Sequence, residues 1–86
     1  MICGIFLSKE AGKTLERIDR ITEGRISENL ERLRLDPDRQ GKQLKGFTGL
    51  RSLRVGDWRV IYTIKEEPSA VYILAIRPRG QAYRNL

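Results

Sequence analysis

The chain begins with the hydrophobic spacing of one short strand followed by a helix. Residues 2–7 form an apolar run of strand length. Ser8 is a good N-cap residue, and Glu10 would lie in the first turn of the helix that Ser8 begins. We predict this helix over residues 9 to about 20. Its apolar positions, at helical spacing, are Ala11, Leu15, Ile18 and Ile21.

A second amphipathic helix is predicted directly after the first. Thr22 can serve as its N-cap, and its apolar stripe consists of Ile26, Leu30 and Leu33. The helix should end at Asp36, because the residue before a proline is pushed out of the α region. Two helices joined this closely form an αα-hairpin, and their apolar stripes are expected to lie on a sheet.

Residues 53–62 show the alternation of a β-hairpin around the pair at 56–57, which is Gly-Asp. A glycine in the first central position suits a two-residue type II′ turn. A turn of that length places Arg54 opposite Arg59. Like charges opposite each other destabilise a sheet, so either an anion lies between these arginines or their solvated side chains splay apart.

The last three strands are predicted at residues 50–55, 58–65 and 71–77. Placing Lys65 opposite Val71 gathers the large apolar side chains on one face, whereas a shift of one residue would mix the two faces. The predicted apolar face contains Leu53, Val55, Trp58, Val60, Tyr62, Ile64, Tyr72, Leu74 and Ile76. The helical hairpin would cover this face.

These elements together predict an α+β fold in the order β-α-α-β-β-β. The two-helix hairpin packs on one face of a small antiparallel sheet. We expect residues 1–86 to form a single domain, since this length is near the lower limit for a self-sufficient core.

Composition narrows the functional classes. No apolar run approaches the roughly 18 residues of a membrane span, and the apolar start lacks the basic region of a signal peptide. One cysteine, Cys3, and no histidine argue against an intramolecular disulfide and against a metal site. A cytoplasmic protein with no metal, no cofactor and no membrane association is therefore expected.

The charge is concentrated in the second half of the chain. Residues 1–40 carry eight Lys/Arg and eight Asp/Glu, whereas residues 41–86 carry nine Lys/Arg and three Asp/Glu, so the excess of six (9 − 3) lies there. This polarisation within one small domain points to a polyanion or to an acidic protein as partner.

The open face of the predicted sheet would carry a row of three arginines, Arg54, Arg59 and Arg77. Guanidinium groups bind phosphate oxygens in bidentate pairs and would stabilise the extra negative charge of a phosphodiester transition state. The short tail after residue 78 could bring Tyr83 to the row as a group able to give or take a proton. Without histidine, cleavage of RNA through its own 2′-hydroxyl is the most economical phosphoryl chemistry. The alternative for Tyr83 is an ordinary packing role at a chain end.

One set of motifs in the second half of the chain is specific. It consists of residues 43–46 (QLKG), 49–62 (GLRSLRVGDWRVIY) and 73–77 (ILAIR), together with Arg79 and Tyr83. In these residues the chain resembles the RelE/ParE toxin superfamily of toxin–antitoxin systems. The order of elements matches as well, over essentially the whole chain. The resemblance implies a RelE-like fold and an acidic, RelB-like antitoxin that wraps the toxin, often in a complex that represses its own operon.

Within this superfamily, RelE-type members cut mRNA in the 30S A site of the ribosome, and ParE-type members poison DNA gyrase. Matching position by position, the resemblance implies that Arg59, Arg77 and Tyr83 are catalytic. The residues expected to bind substrate phosphate or RNA are Arg54, Arg51, Lys45, Lys42, Arg79 and Arg84.

The sequence departs from the RelE pattern at one place. RelE-type enzymes carry two lysines on the strand before the hairpin, and the matching positions here are Leu50 and Ser52. Arg51 lies between them but should point to the other face of a regular strand. Lys42 or Lys45, from the preceding connection, is the alternative source of the lost charge.

Three hypotheses follow from the resemblance. The first is a RelE-like, ribosome-dependent endoribonuclease, an mRNA interferase that inhibits translation. The second is a ParE-like, non-catalytic inhibitor of gyrase. The third is a weakened toxin that acts mainly in an autorepressor complex. Retention of Tyr83 with Arg59 and Arg77 favours the first, and loss of the strand lysines favours the second.

Overall fold

Two helices and a five-stranded sheet form the fold in a computed structural model that describes residues 4–37, 40–66 and 69–83. The predicted order of elements is confirmed, with one additional short strand. The elements are β1 (Gly4–Leu7), α1 (Lys9–Arg17), α2 (Arg20–Leu35), β2 (Lys42–Gln43), β3 (Arg51–Val55), β4 (Trp58–Glu66), β5 (Ser69–Pro78) and a 3-10 turn (Arg79–Gln81). Cys3 and Arg84 lie outside the described residues.

Side-chain caps set the boundaries of the two helices. Ser8 caps α1 as predicted, because its Oγ accepts a hydrogen bond of 3.0 Å from the backbone N–H of Ala11. The predicted Thr22 cap of α2 is wrong. Asp19 is the N-cap and accepts from the Thr22 N–H at 2.9 Å and from its hydroxyl at 2.7 Å. Because Asp19 is the cap, α2 begins at Arg20 and includes Ile21, which was predicted to belong to the first helix. Ile21 is 73% exposed.

The second helix supplies much of the core. Ile26, Leu30 and Leu33 are buried as predicted, and α2 ends with Asp36 as its C-cap, directly before the proline. The three apolar side chains of α2 pack with Leu53, Val60 and other apolar residues of the sheet. Within the described ranges, the helices are too short or too polar to cross a membrane.

The sheet is mixed rather than wholly antiparallel. Its strands follow the order β1-β5-β4-β3-β2, and β1 runs parallel to β5. The α+β class and the helical hairpin on one sheet face agree with the expectation. The direction of β1 differs because most of the chain separates it from β5, so no tight turn enforces antiparallel pairing.

The central hairpin has the predicted register. Arg54 pairs with Arg59 on β3 and β4, and Gly56 has φ of 59°. This left-handed conformation is the one that a primed two-residue turn requires at its first central position.

The pairing of β4 with β5 was predicted correctly at one end only. Near the hairpin turn Arg59 pairs with Arg77, but Lys65 pairs with Ala70 instead of Val71. An irregularity between Ile61 and Tyr62 shifts the register by one residue. In the part of β5 between its start at Ser69 and this bulge, each side chain therefore lies on the face opposite to the predicted one.

The bulge changes the composition of the core. Val71 and Ile73 pack against the helices, where Tyr72 and Leu74 were expected. Tyr72 instead stacks on Phe6 of β1, with ring centroids 5.2 Å apart. One-residue steps reverse the face of every following side chain, which explains why this part of the predicted apolar face is wrong.

Candidate nucleic-acid interface

The predicted row of arginines exists in the backbone register. Arg54 lies opposite Arg59, and Arg59 lies opposite Arg77, so the three positions are neighbours on β3, β4 and β5. Directly opposed residues of an antiparallel pair have Cα atoms about 5 Å apart. The strands therefore bring three guanidinium-bearing positions together, although the side chains do not all end in the same place.

Two of these arginines line a cleft of about 610 Å³ on the open face of the sheet. We call it the basic cleft, and its lining is Gly41, Lys42, Gln43, Leu44, Ser52, Leu53, Arg54, Arg59 and Tyr83. Among the described residues that line it there are three cations and no carboxylate. Such a surface attracts anions, because its cations repel one another when no anion is bound.

Arg59 occupies the centre of the row. Its side chain has no hydrogen-bond or ion-pair partner within the described part of the chain. Arg54 is more exposed, and its Nε donates to the Gly56 carbonyl at 3.1 Å, which ties the guanidinium to its own hairpin turn. Of the two row arginines that line the cleft, Arg59 is thus the one whose guanidinium is not held by another described residue.

Tyr83 reaches the cleft because the chain turns back after β5. The Arg79 N–H donates to the Asp57 carbonyl at 2.8 Å, and the 3-10 turn follows. Ala82 is then buried, and the Tyr83 hydroxyl lies 3.3 Å from Ser52 Oγ. The Tyr83 side chain is 44% exposed, so the phenol is held at the cleft while remaining accessible.

Lys42 enters the cleft from the edge strand β2. It pairs with Ser52 of β3, so the two side chains share the open face. Position 52 is one of the two positions where the resemblance to RelE-type enzymes implies a lysine. Lys42 therefore brings a cation next to the place where this sequence lacks one, whereas Lys45 lies outside the cleft lining.

A cluster on the other face of the sheet positions the start of β2. The Tyr62 hydroxyl donates to the Gln40 carbonyl at 2.6 Å, and Arg51 Nη2 donates to the same oxygen at 3.1 Å. Arg51 Nε also donates to the Tyr62 hydroxyl at 3.3 Å. We call these three residues the Gln40 clamp. Arg51 therefore points away from the basic cleft, as its place in a regular strand predicts.

Gly41 connects the Gln40 clamp to Lys42. Its φ is 65°, and a Cβ there would lie 2.5 Å from the Tyr62 hydroxyl and 2.7 Å from the Ser52 carbonyl. Glycine is thus required both by the left-handed backbone and by the close approach of β3. The sequence offered only the glycine as a signal, since the clamp joins residues far apart in the chain.

Arg77 takes a different course from the other two arginines of the row. Its Nε and Nη2 donate to the two Glu10 carboxylate oxygens at 2.8 and 2.9 Å, and its Nη1 donates to the Ala82 carbonyl at 3.4 Å. These bonds lower the pKa of Glu10 below its ordinary value of 4.5, and Glu10 in turn raises the pKa of Arg77. Sequence reasoning did not anticipate this ion pair.

The Arg77 side chain consequently lines a second groove. This groove lies between α1 and the ends of β4 and β5, and Glu10, Trp58 and Ile18 share its lining. Arg79 is exposed on the 3-10 turn, outside the lining of either groove. The structure thus brings Lys42, Arg54, Arg59 and Tyr83 together and separates Arg51, Lys45, Arg77 and Arg79 from them.

The basic cleft is suited to binding a phosphate-containing anion. Arginine offers planar, bidentate donors and lysine a mobile point charge. The Tyr83 and Ser52 hydroxyls add groups that can donate, accept or transfer a proton. Among the described residues, no group of three or more His, Cys, Asp or Glu side chains is placed to hold a metal ion.

The comparison with protein families agrees with this fold and site. A family model described as the ParE toxin of type II toxin–antitoxin system, parDE, matches residues 5–83. The chain belongs to this family. It is the toxin of a type II toxin–antitoxin system, and the resemblance to the RelE/ParE superfamily is confirmed. A search of curated protein sequences found no match.

Solved structures place this toxin among RelE-like folds. An archaeal RelE–RelB complex from Pyrococcus horikoshii matches with 27% identity and a TM-score of 0.79, covering 95% of this chain and 100% of the other. The RelBE2 toxin–antitoxin complex of Mycobacterium tuberculosis matches with 26% identity and a TM-score of 0.82, covering 92% and 100%. Isolated Escherichia coli RelE shares the fold at 14% identity and a TM-score of 0.80, covering 96% and 87%.

Proposed function

We propose that this toxin is a RelE-like endoribonuclease that cleaves mRNA on the ribosome. The observation that carries the proposal is the basic cleft, in which Lys42, Arg54 and Arg59 lie with the Tyr83 phenol and no carboxylate among the described lining residues. A gyrase inhibitor that acts by protein contact has no need to place a proton-transfer group among unpaired cations. An RNA phosphodiester has the matching charge and supplies its own nucleophile.

The charged and hydroxyl-bearing residues of the basic cleft each have a role in this reaction. Arg59 and Arg54 bind the scissile phosphate and stabilise the charge that builds on its oxygens. Tyr83 acts as the general base for the 2′-hydroxyl, whose oxygen forms a bond to phosphorus as the bond to the 5′-oxygen breaks. The products are a cyclic 2′,3′-phosphate and a 5′-hydroxyl, the latter protonated from water or from Lys42.

Ser52 and Lys42 replace the strand lysines in this scheme. The Ser52 hydroxyl, 3.3 Å from that of Tyr83, orients the phenol toward the cleft. Lys42, paired with Ser52 across the strands, supplies the positive charge. Arg51 and Lys45 were also predicted to bind substrate, but they lie outside the cleft lining. In this scheme they would act away from the scissile phosphate or in contacts with the ribosome.

The proposed partners are an acidic, RelB-like antitoxin and mRNA in the 30S A site, both in the cytoplasm. The Pyrococcus and Mycobacterium structures are toxin–antitoxin complexes, which supports the first partner. The formal net charge of +6 supports both, because an acidic peptide and RNA would each be attracted to the basic half of the chain.

Inhibition of DNA gyrase is the second candidate function. The family model that matches is that of ParE toxins, and positions 50 and 52 carry Leu and Ser in place of lysines. The engagement of Arg77 by Glu10, away from the cleft, also favours a non-catalytic role. A weakened toxin that acts mainly as part of a repressor complex would share these features.

Primer extension on translated messages after toxin induction separates these functions. A ribonuclease produces cuts at A-site codons, and we expect Arg59→Ala and Tyr83→Phe each to reduce them by about 10²-fold or more. Arg32→Ala, on the exposed side of α2, and Tyr72→Phe, outside the cleft, are the matched controls and should cut normally. Intact messages together with gyrase-dependent DNA breaks would overturn the proposal.

A further inference from the structure

We infer that Glu10 is a positioning residue that holds Arg77 outside the basic cleft, so that RNA phosphate and the Glu10 carboxylate compete for the same guanidinium. This inference rests on the proposed RNA site. It adds a carboxylate on the first helical turn to the residues that determine how strongly the cleft binds phosphate.

The backbone gives Arg77 a place in the row. Arg59 has one arginine opposite it on β3 and another opposite it on β5. Arg77 is therefore as close to Arg59 in strand register as Arg54 is. From the backbone alone, its guanidinium would be expected to share the cleft with the other two.

The contact with Glu10 instead holds the Arg77 guanidinium outside the cleft. Leu7, the last residue of β1, pairs with Ile73, so the part of β5 that contains Arg77 lies beyond the end of β1. Ser8 donates through its Oγ to the Leu74 carbonyl at 2.6 Å, which fixes the start of α1 beside this part of β5. Glu10 in the first turn of α1 can therefore meet the Arg77 side chain there.

The contact has the geometry of a specific bidentate pair. Arg77 Nε and Nη2 each donate to a different oxygen of the Glu10 carboxylate, at 2.8 and 2.9 Å. A phosphate group presents the same pair of oxygens to a guanidinium. Because a phosphate and a carboxylate use the same donors, the two cannot be bound fully by Arg77 at once.

The pair is also open to exchange. The Glu10 side chain is 49% exposed and that of Arg77 is 20% exposed. Ion pairs at such exposure are weak, because water competes for both partners. A phosphodiester held by Arg54 and Arg59 would thus compete with Glu10 for Arg77, and would bind Arg77 fully only where the carboxylate is absent.

The bond from Arg77 to the tail links this exchange to Tyr83. Arg77 Nη1 donates to the Ala82 carbonyl at 3.4 Å, and Tyr83 is the next residue. Movement of Arg77 toward the cleft would occur directly beside the residue that places the phenol there. Glu10 thereby influences both the third arginine and the position of the tyrosine.

The test measures binding of the purified full-length toxin to a 2′-O-methyl RNA decamer, which lacks the hydroxyl needed for cleavage. Glu10→Gln removes the competing carboxylate with little change in shape. We expect binding to tighten about threefold to tenfold, and the slope of log affinity against log salt to steepen by about 0.7, the value for one additional phosphate contact on a single strand.

Two controls distinguish this mechanism from a change in net charge. Glu16→Gln makes the same charge change on the exposed side of α1 and should have a smaller effect on both quantities. In an Arg77→Ala background, Glu10→Gln should give no gain. Tighter binding that persists without Arg77, or weaker binding of Glu10→Gln, would overturn the inference.

Arginine side-chain NMR gives a readout that a purely structural role would not move. With inorganic phosphate added, the Nε–Hε signal of Arg77 should shift in Glu10→Gln and stay nearly unchanged in the wild type, whereas that of Arg59 should shift in both. Equal responses of Arg77 in the two proteins contradict the inference.

The same assays separate this inference from the proposed function. If Arg54→Ala and Arg59→Ala weaken RNA binding while Glu10→Gln changes nothing, the cleft stands and only the role of Glu10 fails. If neither arginine substitution weakens binding, the RNA site itself is wrong, and the phosphate titration alone decides whether Glu10 withholds Arg77.

Discussion

The hydroxyls of Ser52 and Tyr83 lie 3.3 Å apart, although 31 positions separate the two residues in the chain. This contact joins the tail after β5 to the strand that precedes the hairpin. It places a phenol beside Arg54 and Arg59 on the open face of the sheet. Ser52 stands at one of the positions where the resemblance to RelE-type enzymes implies a lysine, so in the proposed ribonuclease the charge there would come from a neighbour.

Lys42 is expected to be that neighbour. Lys42→Met removes the cation paired with Ser52, and we expect weaker RNA binding and a salt slope shallower by about 0.7. Lys45→Met is the control, since Lys45 lies outside the cleft lining. Affinity titrations at several salt concentrations measure both. Equal losses in the two variants would show that Lys42 acts only through net charge.

Gly41→Ala is expected to destabilise the fold and to displace β2. The added Cβ would meet the Tyr62 hydroxyl and the Ser52 carbonyl in a left-handed backbone, and we expect a loss of about 2 to 4 kcal/mol. Gly46→Ala has φ of 85° but nothing within 4 Å of the new Cβ, so about 1 kcal/mol should be lost there. Urea unfolding of both variants provides the comparison, and losses of similar size would contradict the close approach.

Tyr62→Phe tests the Gln40 clamp. The change removes the 2.6 Å hydrogen bond to the Gln40 carbonyl while keeping the buried ring, and a loss of about 1 kcal/mol is expected because Arg51 still donates to that oxygen. Tyr72→Phe, where the ring stacks on Phe6, removes a hydroxyl outside the clamp and should be close to neutral. Thermal unfolding of the two variants distinguishes them. If Tyr62→Phe also weakens RNA binding, the clamp positions Lys42.

The Glu10–Arg77 pair predicts a pH dependence of stability. The pKa of Glu10 is lowered in the folded state, so the pair stabilises the protein above the unfolded value of about 4.5 and stops doing so as the pH falls through the lower folded value. With Glu10 half-exposed, about 0.5 kcal/mol is expected. Urea unfolding between pH 2.5 and 7 should show Glu10→Gln less stable near pH 7 and equal to the wild type at the acid end. A difference independent of pH would exclude the ion pair as its cause.

Local patterns predicted the parts of the fold that depend on near neighbours. The stripe of Ile26, Leu30 and Leu33 identified the buried face of α2, since residues three and four apart share one side of a helix. The two-residue turn at Gly56 determined that Arg54 would face Arg59, because loop length sets hairpin register. Both inferences needed only a few consecutive residues.

The predictions that were wrong in the sheet depended on contacts between distant residues. The bulge near Ile61 shifted one end of β5 and exchanged Tyr72 for Ile73 in the core. Periodicity cannot locate a bulge, because the pattern on either side of it remains regular. The Thr22 cap was wrong for a local reason, because Asp19 and Thr22 are both residue types that suit an N-cap and residue type alone does not choose between them.

The residue types, the order of elements and the predominance of positive charge after position 40 were all present in the sequence, and its motifs carried the resemblance to the RelE/ParE toxin superfamily that is confirmed. The membership of the cleft came from tertiary structure. Strand register aligned three arginines, but only the packing of α1 beside β5 drew Arg77 to Glu10. Only the fold of the tail brought Tyr83 to Ser52, because side-chain destinations depend on partners that are distant in the chain.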